Sequence, residues 1–277
     1  MGAFLRLRRF ASLCACFVVV LLAGVPESRA DVPVNGRHQE LDFSGARVRA
    51  MAAIAYAERI DGLRRQHKLD RNATLLKRVR RIAGTLVAQA VLLQPEAAHW
   101  AWEVHVADSS GFDAFCMAGG KILISTPFVQ SQQLSDGELA ALLAHEIAHA
   151  IAEHVREQLT AVRKLDPAYA DLSPQDVVSV IGWDLSVSLK LAQLSRLQEL
   201  EADDIGIHIA AKAGFDPREL VQLYRKLSHA AQGEFLINTH LAVDGRMRAI
   251  ENFAAYAELV YRENASPEHT RHNFVIR

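Results

Sequence analysis

The chain is 277 residues long, half of them apolar and 23% charged, with a formal net charge of −1. This is the composition of an ordinary globular chain with material for a sizeable core, and it excludes disordered and collagen-like architectures. The near-neutral balance has no basic stripe, which excludes nucleic acid as the main partner because phosphate binding needs clustered Lys and Arg.

Residues 1–30 read as an export signal. Arg6, Arg8 and Arg9 form a basic head, Phe10 to Val25 is an apolar run, and Ser28-Arg29-Ala30 places small residues where a signal peptidase reads. Cleavage is expected before Asp31, which puts the mature chain in the periplasm with a net charge of −4 once four basic and one acidic residue leave. The apolar run is short for a membrane helix. An uncleaved anchor and acylation at Cys14-Ala15-Cys16 are the alternatives to export as a free chain, and peripheral membrane association is a further one. Cys116 alone survives cleavage, so no intrachain disulfide can form, and it reads as a small buried apolar residue.

Residues 31–45, with Pro33, Asn35, Gly36 and Gly45, read as an irregular lead-in, and residues 46–277 as one domain. Ala46 to Arg65 and Arg71 to Leu93 carry apolar side chains at helical spacing. Trp100 to Ala107 alternates with the period of a half-buried strand, and Lys121 to Thr126 is a second strand candidate. The turn residues between them, Asp108 to Gly111 and Gly119-Gly120, fit two strands of a small antiparallel sheet.

Helices follow. Ser135-Asp136-Gly137-Glu138 is a capping box opening a helix expected to run to about Leu165. Ser173-Pro174 opens another through a strongly apolar stretch, Val177 to Leu194, which Asp184 disfavours as a membrane span. Arg196 to Ala213, Asp216-Pro217 to Ala231, and Arg246 to Tyr261 complete the helical series.

The chemistry is concentrated at His145-Glu146-Ile147-Ala148-His149. Four residues of helix advance about 400°, so His145 and His149 project from one side a turn apart and can reach one metal ion. Glu146, offset by about 100°, sets a carboxylate beside the open coordination position. Two neutral imidazoles and one anionic carboxylate are the usual zinc set for hydrolysis, so one Zn2+ per chain is expected. Leu139 to Ala144 with Ile147, Ala148, Ala150 and Ile151 make this helix apolar almost all round, and buried imidazoles and carboxylates require partners.

A third ligand is expected on a helix downstream. His154 lies nine residues from His145, about 900° along a continuous helix, which turns it the opposite way. The longer HExxHxxGxxH pattern fails, with no glycine at Ile151-Ala152 and Val155 in the last histidine position. Glu199-Leu200-Glu201-Ala202-Asp203-Asp204 offers two same-face pairs, Glu199 with Asp203 and Glu201 with Asp204, and spacing alone does not choose between them.

With these two stretches in view, the chain resembles the zinc metallopeptidase family that contains the CaaX prenyl endopeptidases and the HtpX heat-shock proteases, a gluzincin group, and within it the short exported bacterial branch. The likeness covers roughly residues 70–260. It implies a mostly helical α+β, zincin-like domain with a small antiparallel sheet beside the active-site helix. It assigns the third ligand to Glu199, a supporting carboxylate to Asp203, and an orientation away from the metal to Glu201.

A third segment, Asp113 to Ile122, is similar to the family's N-A-F-A-x-P-G-G-x-I, with Asp113 and Ala118 among the positions that depart from it. The likeness implies substrate binding at Gly119, Gly120, Lys121 and Ile122, with Ile122 to Thr126 as the edge strand that pairs with substrate. A fourth, Asn238-Thr239-His240-Leu241 to Arg246, resembles T-H-P-x-x-x-x-R and places His240 at the site and Arg246 near the catalytic carboxylates. The implied activity is peptide hydrolysis with Glu146 as general base, acting on unfolded or misassembled envelope proteins. A chaperone-like or latent factor of the same fold, which binds such chains and cleaves rarely, is the alternative.

Overall fold

A computed structural model of the chain describes residues 36–169, 176, 185–230, 246–264, 274 and 276. Residues 36–44 carry no regular secondary structure. Helix α1 (Gly45–Arg65) follows, its start capped by the Ser44 hydroxyl accepting from the Arg47 N–H. Asn72 caps α2 (Ala73–Leu93) in the same way, through Leu75 N–H. The apolar side chains expected to face inward on α2, among them Val79, Ile82, Leu86 and Val87, are fully buried.

Among the described residues the sheet is three-stranded and mixed. Its strands are β1 (Glu103–Ala107), β2 (Ala114–Met117) and β3 (Lys121–Ser125), arranged β1-β3-β2. The two strands read from the sequence pair in parallel, Val104 opposite Ile122 and Val106 opposite Ile124. The antiparallel partner is β2, with Cys116 opposite Ile122. The physical reason is the tight Gly119-Gly120 turn: it folds β2 back on β3 as a hairpin, so β1 is left on the other side of β3 and runs with it. The outer side of β1 is occupied by residues 68–70, where Asp70 N–H donates to Val106 C=O and Asp108 N–H to Lys68 C=O, both at 2.8 Å.

Beyond the short α3 (Thr126–Ser131), the Ser135 capping box opens α4 (Asp136–Ile151), with both reciprocal hydrogen bonds made. The helix does not continue to Leu165. It stops at Ala152-Glu153, where Glu153 takes a left-handed φ of 54°, and α5 (His154–Leu165) restarts in a new direction. The chain then supplies α6 (Leu185–Lys212), α7 (Arg218–Ala230) and α8 (Met247–Asn264). Of the apolar stretch 177–194, residues 177–184 lie outside the described residues. No helix among the described residues is long and apolar enough to cross a membrane.

The main core joins α2, one face of the sheet, α4, and the inner faces of α6, α7 and α8. Helix α4 runs through its middle, with Leu139, Leu142, Leu143, Ile147 and Ile151 fully buried. The helix is apolar on nearly every side because nearly every side meets protein.

Candidate metal centre

Helices α4 and α6 build the centre by coming unusually close. A Cβ on Gly206 would lie 2.9 Å from His145 N and 3.0 Å from its Cα, so only glycine allows α6 to rest on the α4 backbone at the first histidine. This contact brings Glu199 and Asp203, one turn apart on α6, over His145 and His149, one turn apart on α4. One ligand atom from each of His145, His149 and Glu199 falls within 4.8 Å of the others.

The separations fit a cation. His145 Nε2 and His149 Nε2 are 3.0 Å apart, and the two Glu199 oxygens lie 3.5 Å and 3.4 Å from them. Nitrogen and oxygen ligands at zinc-like bond lengths of about 2.0–2.1 Å would span tetrahedron edges of about 3.3 Å. The other side of His145 explains why its Nε2 is available: Nδ1 lies 3.0 Å from Asp203 Oδ1, so the Nδ1 proton faces the carboxylate and the Nε2 lone pair faces Glu199 and His149. Burial opposes a charged His145 ring, but Asp203 and Glu199 outweigh it and raise its pKa to about 10. The two carboxylates beside His145 favour positive charge at this point, which a metal ion would supply with the ring neutral.

Asp203 is fully buried and fixed on its other side. It accepts from Tyr224 Oη at 2.9 Å and from Arg246 Nη2 at 2.6 Å and Nε at 2.9 Å. Arg246 also donates through Nη1 to Glu199 Oε2 at 2.8 Å, so one guanidinium bridges both carboxylates. Nothing in the local sequence pattern of Tyr224 distinguishes it from a core aromatic. Burial, then the charge of Asp203, pushes its hydroxyl well above the ordinary value, so it stays a donor. Glu146 is 3% exposed, and its negative charge reaches Cys116 on β2. That charge adds to burial in raising the Cys116 thiol, which is inert and unbridged.

The profile of peptidase family M48 matches residues 71–254, more than half of the chain. The chain belongs to peptidase family M48. The chain is 35% identical to the mitochondrial metalloendopeptidase OMA1 of Arabidopsis thaliana over 172 residues, 58% of this chain and 34% of that protein. It is 33% identical to the Schizosaccharomyces pombe protein of the same name over 61% of this chain and 51% of that one. To the beta-barrel assembly-enhancing protease of Yersinia pestis it is 24% identical, over 54% of this chain and 34% of that protein. The chain thus spans about a third to a half of the length of these curated relatives.

Within the M48 domain two expectations change. His154 does not point away from the centre. The break at Ala152-Glu153 turns α5 so that His154 Nδ1 lies 2.8 Å from His149 Nδ1, and His154 is 1% exposed. Glu201 does face away from the cluster of three, but toward His154, at 3.4 Å from its Nε2.

The second change concerns the Gly119 to Ile122 segment. Ile122 to Ser125 cannot pair with a substrate strand, because β3 is central and bonded on both sides. Gly119 and Gly120 serve the hairpin turn with φ of 84° and 79°, and a Cβ on Gly120 would lie 2.5 Å from the Trp102 ring. Lys121 donates to Ala101 C=O at 2.6 Å and pairs with Glu103. Gly119 and Lys121 do border an open cleft of about 450 Å3 with Arg49, Glu96, His99 and Trp100. The edge that remains is that of β2, which among the described residues is paired only with β3. His240 lies outside the described residues.

Proposed function

We propose that this chain is a zinc metalloendopeptidase, exported to the periplasm, that hydrolyses unfolded or misassembled envelope polypeptides. The observation that carries the reading is the convergence of His145, His149 and Glu199, with Glu146 beside the first ligand on the same helix. Zinc, when bound by those three residues, supplies Lewis acidity, lowering the pKa of water and polarising a carbonyl toward attack. Glu146 accepts the proton of the attacking water and returns it to the departing amine, so one carboxylate serves as base and then as acid. Asp203 keeps the His145 ring in one tautomer, and Arg246 holds Asp203 and Glu199 in register. An extended peptide would add to the side of β2 that no described residue pairs with, and the packing of β2 against α4, the helix that carries Glu146, supports a scissile bond held near that base.

Membership of the family and the names of its relatives, metalloendopeptidase in two and beta-barrel assembly-enhancing protease in a third, support hydrolysis and an envelope substrate. The basic head, apolar run and small residues before Asp31 support export. Digestion of casein by the purified chain, with and without a chelator, tests the activity. Chelation is expected to abolish cleavage and added zinc to restore it, while Glu146→Gln loses at least ~100-fold in turnover and keeps its metal. A Glu146→Gln protein that cuts at the wild-type rate overturns the assignment. If the wild-type chain suppresses aggregation and does not cut, the chaperone reading replaces it.

A further inference from the structure

Residues Arg37 to Phe43 precede the segment matched by the family profile, yet hydrogen bonds fasten them along α5 and the break before it. Arg37 forks onto Glu157, Nη1 to Oε1 at 2.5 Å and Nη2 to Oε2 at 2.8 Å. Gln39 Nε2 donates to Ala152 C=O at 2.9 Å, at the helix break itself. Asp42 N–H donates to Thr160 Oγ1 at 2.9 Å, and Phe43 is buried with its C=O accepting from Arg156. The Nε of Arg37 goes further and donates to Glu201 Oε2 at 2.9 Å.

We infer that this segment is a positioning strap for the metal ligand His149, acting through Arg37, Glu201 and His154. The inference rests on the reading of His145, His149 and Glu199 as a metal site. Proton placement along this chain of groups fixes the ligand. A carboxylate only accepts, so Glu201 requires the His154 proton on Nε2. His154 Nδ1 is then an acceptor and requires the His149 proton on Nδ1. That leaves the His149 Nε2 lone pair aimed at Glu199 and His145, as a ligand needs. With Glu201 turned away, His154 is free to take the other tautomer and donate to His149 Nδ1. The His149 proton then moves to Nε2, where it blocks coordination. Arg37 is the group that pins Glu201 in place while also pairing with the buried Glu157. Gln198, 1% exposed, closes the same network by donating to Glu157 and to His154 C=O.

The test is zinc affinity of the purified chain, measured by competition with a chromophoric chelator, together with the visible absorption bands of the cobalt(II)-loaded protein. Arg37→Ala and Glu201→Gln are each expected to weaken zinc binding by about tenfold or more and to shift the cobalt bands, because both work through the orientation of one imidazole. Lys164→Ala removes the surface bond from Lys164 to Glu40, which fastens the same segment without touching the network, and is expected to bind as wild type. Wild-type affinity and an unshifted spectrum in Arg37→Ala overturn the inference alone, as does an equal loss in Lys164→Ala. Should Arg37→Ala fail to fold by circular dichroism, Glu201→Gln decides. A wild-type chain that holds no metal overturns the metal-site reading together with this one.

Discussion

Glu199 and Asp203 stand one turn apart over the two histidines, and Arg246 bridges them while Tyr224 completes the set around Asp203. Arg246 is 4% exposed, so its charge is matched inside the protein. Removing one partner from such a buried arrangement leaves the others uncompensated, at a cost of about 3–5 kcal/mol. Arg246→Ala is therefore expected to lower the unfolding free energy by about that amount in urea titration. Arg246→Lys recovers only part of it, because an ammonium cannot present a planar fork to three acceptors. Asp203→Asn separates stability from coordination. An amide can turn its N–H toward His145 Nδ1 and free the ring to take the wrong tautomer, so zinc affinity should fall ~10–100-fold while the urea midpoint changes less than in Arg246→Ala. Equal losses in both variants and both measurements would mean that Asp203 acts only as a structural anchor.

Gly206 sets the distance between the two helices that carry the ligands. A methyl group there meets backbone atoms of Ala144 and His145 at 2.9–3.1 Å, which cannot give way as a flexible side chain could. Gly206→Ala is expected to destabilise the protein by ~1–3 kcal/mol through overpacking and, by lifting α6 from α4, to weaken metal binding as well. Thermal melts with and without zinc check both, and an unchanged zinc-induced shift would show that the helices close by another route. Much at this scale is legible in the sequence: the His145–His149 spacing is one helical turn, the capping box at Ser135 fixes where that turn begins, and the apolar neighbours say that it is buried. Three things are not. Spacing alone cannot choose between the two acidic pairs on α6, since each lies on one face. The break at Ala152-Glu153 carries neither glycine nor proline, and the left-handed Glu153 has its carboxylate held by Arg156 at 2.7 Å, a contact that belongs to α5. A helical projection through that point therefore sends His154 the wrong way. The strand Ala114–Met117 is too short for alternation to register, so its turns read as one connection and the sheet as antiparallel.

At the scale of the whole molecule, the segment before α1 shows no periodicity because it packs through single side chains rather than a repeating apolar face. Its tie from Arg37 to the buried Glu157 makes the fold sensitive to acid. Burial pushes the Glu157 carboxyl up, but the bonds from Arg37, Gln198 and Gln39 outweigh it and hold the group below its ordinary 4.5. Above that value the carboxylate is ionised in folded and unfolded chains alike, and its contribution to stability is complete. As the pH falls below it, the unfolded chain takes up the proton first, so stability declines until the folded value is passed. Glu157→Gln should therefore lower stability near neutral pH and flatten the decline on acidification, which urea midpoints between about pH 7 and about pH 3 would reveal. Limited proteolysis over the same range locates the effect: cleavage before Gly45 should rise in acid for the wild type and be high throughout for Glu157→Gln. Matching acid slopes in the two proteins would assign the tie no part in holding the segment down.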